Sequence, residues 1–119
     1  MHKFKDLIAW QKSRVLEKDI YEVTKKILKE EIYGITSQIR RAAVSVPTNV
    51  SEGAGRRRNP QFLHFLDIAL GSAIEVENLL IISNDLEFTE ESIQQKLEAK
   101  CIEIQKLIYG LMSKLSPQK

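Results

Sequence analysis

One cysteine, two histidines, three prolines and five glycines in 119 residues leave little material for several kinds of chemistry. A lone Cys101 closes no internal disulfide, so a reducing, cytoplasmic setting is the expectation. It sits on an apolar helical stripe, which suits a small buried hydrophobe; a nucleophile would want a basic partner at its side. His64 and Asp67 stand one helical turn apart, but the paired Glu-x-x-His sets of metal-binding bundles are missing. No metal, cofactor or catalytic residue is expected. Gly53 and Gly55 do not form a phosphate-cradling loop and read as helix-end or close-packing glycines. The longest apolar run, Leu79-Leu80-Ile81-Ile82, is far short of the ~20 residues of a membrane span. No apolar stretch of signal-peptide type follows Met1 to Asp6. These shortages argue against an enzyme, a membrane protein and a small-molecule binder.

What is present is helix. Hydrophobic content of 43% beside 29% charge is that of a soluble globular chain, and at 119 residues one domain is expected. Asp6 is a candidate N-cap for a first helix over 6–29, with Leu16, Ile20, Val23 and Ile27 on its main face and Leu7, Ile8 and Val15 extending it. A second, over 35–57, carries Ile35, Ile39, Ala42, Val46, Val50 and Gly53 on one stripe. Its polar line is Gln38, Arg41, Ser45, Asn49, Glu52 and Arg56. Pro47 lacks an N–H and crowds the Ala43 carbonyl, yet the periodicity continues in phase, which predicts one helix kinked at Pro47. Asn59-Pro60 opens a third helix over 60–84, with Phe62, Leu66, Ala69, Ala73, Val76 and Leu80 as its stripe. That helix is apolar around most of its girth, which predicts contacts beyond a single bundle. Thr89 opens a fourth over 89–115, with Ile93, Leu97, Cys101, Ile104, Ile108, Leu111 and Leu115, ended by Pro117. Short connections between four long helices predict an all-α, antiparallel up-down-up-down four-helix bundle.

Charge is unevenly placed. Residues 34–60 carry five Lys/Arg against one acid, and residues 61–89 carry five acids and no Lys/Arg. Antiparallel pairing of helices two and three makes facing residue numbers sum to about 117. That places Arg40 and Arg41 opposite Glu77 and Glu75 as ion pairs fixing register. It also sets Gly71, Ser72 and Ala73 against Ala42 to Val46. Arg56, Arg57 and Arg58 are different. Glu52 accounts for Arg56, but Arg57 and Arg58 face no acid, so this trio is the candidate polyanion or nucleic-acid site. No aromatics interleave there, which gives base stacking little support. Trp10, Tyr21, Tyr33 and Phe65 read as core aromatics, with interface anchors the alternative.

The string from Ile32 to Gly53, IYGITSQIRRAAVSVPTNVSEG, resembles the bacterial four-helix bundle proteins named for the intervening sequences of 23S rRNA genes. Phe4-Lys5-Asp6-Leu7 with Trp10-Gln11, and Phe62-Leu63 through Ile68 to Ala73 with Glu75, extend the likeness over nearly the whole chain. The resemblance implies a cytoplasmic antiparallel bundle that assembles as a ring-like homo-oligomer, a pentamer, with no established enzymatic activity and with RNA as an expected partner. A related branch serves as the accessory protein of diversity-generating retroelements and contacts reverse transcriptase and nucleic acid. This chain's net charge of +2 is modest for that role.

Overall fold

The computed structural model describes residues 2–27 and 29–116. Four α-helices account for most of them: α1 (Ile8–Thr24), α2 (Ile35–Ala54), α3 (Asn59–Asp85) and α4 (Glu91–Leu115). There is no strand among the described residues.

The bounds of α1 differ most from expectation. Phe4–Asp6 forms a 3-10 turn and Leu7 is extended, so the helix starts at Ile8 and Asp6 is not its N-cap. Asp6 and Leu7 donate their N–H groups to Lys3 and Phe4, which commits that backbone to the turn. Phe4 packs edge-on against Trp10 at 5.1 Å, and Gln11 Nε2 donates back to the Lys5 carbonyl at 2.8 Å. At the other end, the Lys26 and Ile27 N–H groups bond to carbonyls three residues back, and the α-helix stops at Thr24 instead of continuing to residue 29.

Helix α2 runs unbroken through buried Pro47 and ends at Ala54, three residues earlier than expected. Helix α3 begins one residue early: Arg58 is the extended N-cap, with Asn59 and Pro60 already helical. In α4 the N-cap position falls to Glu90 instead of Thr89, whose buried hydroxyl finds no hydrogen-bond partner among the described residues. Pro117 lies outside the described residues.

Helix α3 closes through a Schellman arrangement. The Phe88 N–H donates to the Ser83 carbonyl at 2.8 Å and the Glu87 N–H to Asn84 at 2.9 Å. This geometry needs a left-handed residue, and Glu87 supplies it at φ 62°. A Cβ there is strained, and the carboxylate sits at the negative end of the helix dipole. Glu87→Gly should therefore stabilise the protein by about 0.5–1 kcal/mol, a rise of a few degrees in Tm. A fall in Tm would mean that the carboxylate contributes more than the strain.

The links at 55–58 and 86–90 can span no more than ~18 Å, while helices of this length run ~30–40 Å, so each must return alongside its predecessor. Each helix packs on its chain neighbours and α1 closes against α4, while the backbones of the diagonal pairs stay apart among the described residues. The result is a rod of 47 × 22 × 20 Å. The stripes expected for α2 and α3 are buried without exception. Leu16, Ile20, Leu97, Cys101, Ile104 and Ile108 complete the core, whereas Ile8 and Val15 face outward. The predicted α2/α3 register appears directly in Ser72 Oγ, which donates to Ser45 Oγ at 2.8 Å.

Candidate functional site

The trio Arg56–Arg58 lies where α2 ends and α3 begins, and each part of it is fixed differently. Gly55 closes α2, and the Arg56 N–H bonds to the Gly53 carbonyl. The Arg56 guanidinium bonds Glu52 at 3.3 Å, one turn back as expected, and lies over the Phe65 ring at 4.8 Å. Arg57 and Arg58 are exposed and form no ion pair among the described residues.

Other basic groups join them. The His2 N–H donates to the Ala54 carbonyl at 2.9 Å, and the His2 ring packs 5.1 Å from Phe62. That pins the N-terminal segment, with exposed Lys3 and Lys5, to the same end of the rod. The antiparallel course brings Lys114, in the last turn of α4, there as well. Asp6, Glu52 and Asp67 temper the charge without covering Arg57 or Arg58. The opposite end carries Glu22, Glu30, Glu31, Asp85, Glu87 and Glu90 among its exposed or partly exposed groups, with Lys25, Lys26 and Lys29 set against them. One end of the rod is thus basic, whereas the other is nearly balanced once Arg40 and Arg41 are counted with its lysines.

Arg40 and Arg41 do not make the expected register lock. Arg40 turns to α1, donating from Nε to Thr24 Oγ1 at 2.8 Å and from a terminal nitrogen to the Tyr21 carbonyl at 3.5 Å. Its guanidinium stacks on the Tyr21 ring at 4.6 Å. A cation placed on the last carbonyls of a helix complements its dipole, so Arg40 closes α1. Glu77 instead accepts from Gln105 of α4 at 2.8 Å. Arg41 and Glu75 line the same cleft between α2 and α3 but form no ion pair; among the described residues Arg41 has a single 3.4 Å bond, to Ser37. Of the small residues expected between α2 and α3, Ser72 makes that contact. Gly71 is exposed, with nothing among the described residues within 4 Å of an added Cβ, and Ala73 is fully buried, its carbonyl accepting from Cys101 of α4. The close approach is at Gly53, where an added Cβ would lie 2.8 Å from Phe62 and 2.9 Å from Phe65.

A scan against protein-family models matches residues 5–110 to the 23S rRNA-intervening sequence proteins. The chain belongs to that family. Among solved structures, it is similar to a protein of unknown function from the S23 ribosomal protein family of Bacteroides thetaiotaomicron. The TM-score is 0.83 at 23% identity, over 88% of this chain and 98% of the other. That likeness concerns the fold. No curated protein matches the chain.

The remaining candidates in this 23S rRNA-intervening sequence protein are quiet. His64 and Asp67 are exposed, and no group of three metal-ligating side chains occurs among the described residues. No helix among them is long and apolar enough to cross a membrane. Cys101 is fully buried and donates its S–H to the Ala73 carbonyl at 3.1 Å. Burial, with Glu77 beside it, pushes the thiol up from 9.0 to about 12. Native protein should therefore resist a thiol-specific reagent at pH 8, reacting at the rate of unfolding; immediate stoichiometric labelling would contradict this. Stability linked to this thiol is complete below about pH 9 and declines as pH rises towards 12, because only the unfolded chain ionises in that window.

Two aromatics are not core, contrary to the sequence reading. Tyr33 is 94% exposed and Tyr21 is 39% exposed. For Tyr33 the signal was in the sequence, since it falls in the connection before Gly34, outside any helical stripe.

Proposed function

We propose that this protein is a non-enzymatic, self-assembling helical-bundle module that acts as an interaction scaffold in the cytoplasm, with RNA as its partner. The observation that carries it is the outer side of α3, where Ile68, Ile74 and Ile81 are 40%, 47% and 40% exposed. Gly71 lies in the same helix with nothing within 4 Å of an added Cβ. A glycine inside a helix costs about 1 kcal/mol relative to alanine, and no contact among the described residues calls for it here. A second helix approaching that face would use both the isoleucines and the missing side chain. A ring of five copies is the assembly the family resemblance implies.

Light scattering coupled to size exclusion at micromolar concentration tests the assembly. A mass several times 13.7 kDa is expected, and a monomer would overturn the proposal. Ile74→Glu together with Ile81→Glu should release helical monomers. Gly71→Ala should weaken the assembly, whereas on a free surface it would only strengthen the helix.

A second reading, a nucleic-acid-binding accessory protein, is favoured by exposed Arg57 and Arg58 with Lys3, Lys5 and Lys114 at one end. Assembly would multiply that end into a basic rim. Binding should then weaken with salt and with Arg57→Gln and Arg58→Gln. Absent or salt-insensitive binding would reject it.

A further inference from the structure

At the far end of α2 from the arginine trio lies a cleft of about 460 Å³ between the end of α1 and the start of α2. Tyr21, Tyr33, Thr36, Ser37, Arg40 and Arg41 line it. We propose that this cleft binds a nucleotide unit, either free or within a single strand of RNA, with the base stacked on Tyr33 and the phosphate held by Arg41 and Ser37.

Three independent features point to that chemistry. The first is an aromatic ring left in water. Tyr33 is 94% exposed beside Ile32 at 48%, and no hydrogen bond or ring contact of its side chain occurs among the described residues. A planar face so placed is a stacking platform, as every base offers a π-face. The second is cation placement. Arg40 is already held rigidly on Tyr21 at 4.6 Å, and Arg41 next to it is exposed with a single long bond to Ser37 at 3.4 Å. Two guanidiniums and a hydroxyl at one mouth suit phosphate oxygens. The third is an unsatisfied polar atom. Thr36 is 4% exposed, yet its hydroxyl has no hydrogen-bond partner among the described residues. A buried hydroxyl in that state favours a ligand offering it a partner, here the sugar or base edge.

Among the described residues, no acidic side chain lines the cleft. Glu30 and Glu31 stand close by in the short 3-10 turn at Lys29–Glu31, and their charge opposes that of the arginines. Apolar Ile32 and Val44 complete the wall and suit the flat face of a base. The site is separate from the arginine trio and does not depend on it.

The test is fluorescence anisotropy of the full chain with a labelled 12-nucleotide single-stranded RNA, alongside unlabelled AMP and UMP as competitors. Tyr33→Ala should weaken RNA binding about tenfold or more while leaving helicity unchanged, because that ring supports no contact in the fold. Arg41→Gln should weaken it and reduce the slope of log affinity on log salt by about one. Competition by AMP or UMP at millimolar concentration would identify the free nucleotide as a ligand; competition by RNA alone would identify the strand. The proposal is overturned if neither RNA nor mononucleotide binds. It is equally overturned if binding is lost in Arg57→Gln/Arg58→Gln but indifferent to Tyr33→Ala. A Tyr33→Ala variant whose only effect is a lower assembly mass would assign the ring to contact between copies and also reject it.

Discussion

Phe62→Ala is expected to lower the free energy of unfolding by about 3–5 kcal/mol, the largest loss from any single truncation considered. Phe62 is 1% exposed, the bulkiest of the fully buried side chains, and it packs tightly against Gly53 of α2. Removing the ring leaves a void that the facing Gly53 has no side chain to fill. It also takes away the surface on which the His2 ring packs at 5.1 Å, so the N-terminal segment should loosen as well. Urea unfolding followed by circular dichroism at one fixed protomer concentration measures this, since association would add a concentration-dependent term. The midpoint should fall with little change in slope. A loss under about 1 kcal/mol would mean the helix pair can collapse onto the void, contrary to the tight approach described.

Gly53→Ala is the complementary experiment, because helix propensity and packing make opposite predictions. Alanine is preferred over glycine within a helix by about 1 kcal/mol, which alone would stabilise α2. The new methyl, however, would lie 2.8 Å and 2.9 Å from side-chain atoms of Phe62 and Phe65 and 3.2 Å from the Phe62 carbonyl. The carbonyl belongs to α3 backbone and cannot step aside, so overpacking should win with a net loss of about 1–3 kcal/mol. Combining Gly53→Ala with Phe62→Leu should cost less than the two separately, since the residues share one space. Gly110→Ala serves as the reference, with nothing within 4 Å of its added Cβ; it should be neutral or stabilising. A stabilised Gly53→Ala would refute the steric reading.

Most of the fold was legible because apolar spacing records which side of a helix is inward. Every stripe residue named for α2 and α3 is buried, and Ser45 meets Ser72 as antiparallel pairing requires. The ion pairs failed for a reason that this kind of arithmetic cannot see. Facing numbers fix height along the bundle, whereas successive residues on a helix point ~100° apart. Arg40 therefore looks toward α1 and Arg41 toward solvent, though both stand level with the acids of α3. Helix ends were misplaced where side chains that resemble caps face other demands. Asp6 lies inside a 3-10 turn, and Thr89 turns its hydroxyl inward. The Glu52–Arg56 pair was readable because it is local, one turn along a single helix. The Tyr33 cleft was not, because its lining comes from two helices and a connection that only the folded chain brings together.

The way the bundle closes has a consequence for its motions. Among the four helix seams, α2/α3 shares the most contact and α1/α4 the least. The thin seam joins the first helix to the last, and two exposed ion pairs cross it, Lys12 to Glu103 at 2.7 Å and Asp19 to Lys100 at 2.6 Å. Surface pairs of this kind contribute at most about 1 kcal/mol each and weaken in salt. Amide protons in α1 should accordingly exchange with solvent by partial opening, ahead of those in the α2–α3 hairpin, which should exchange only when the whole chain unfolds. The terminal helix can lift while the hairpin that carries both arginine clusters stays intact.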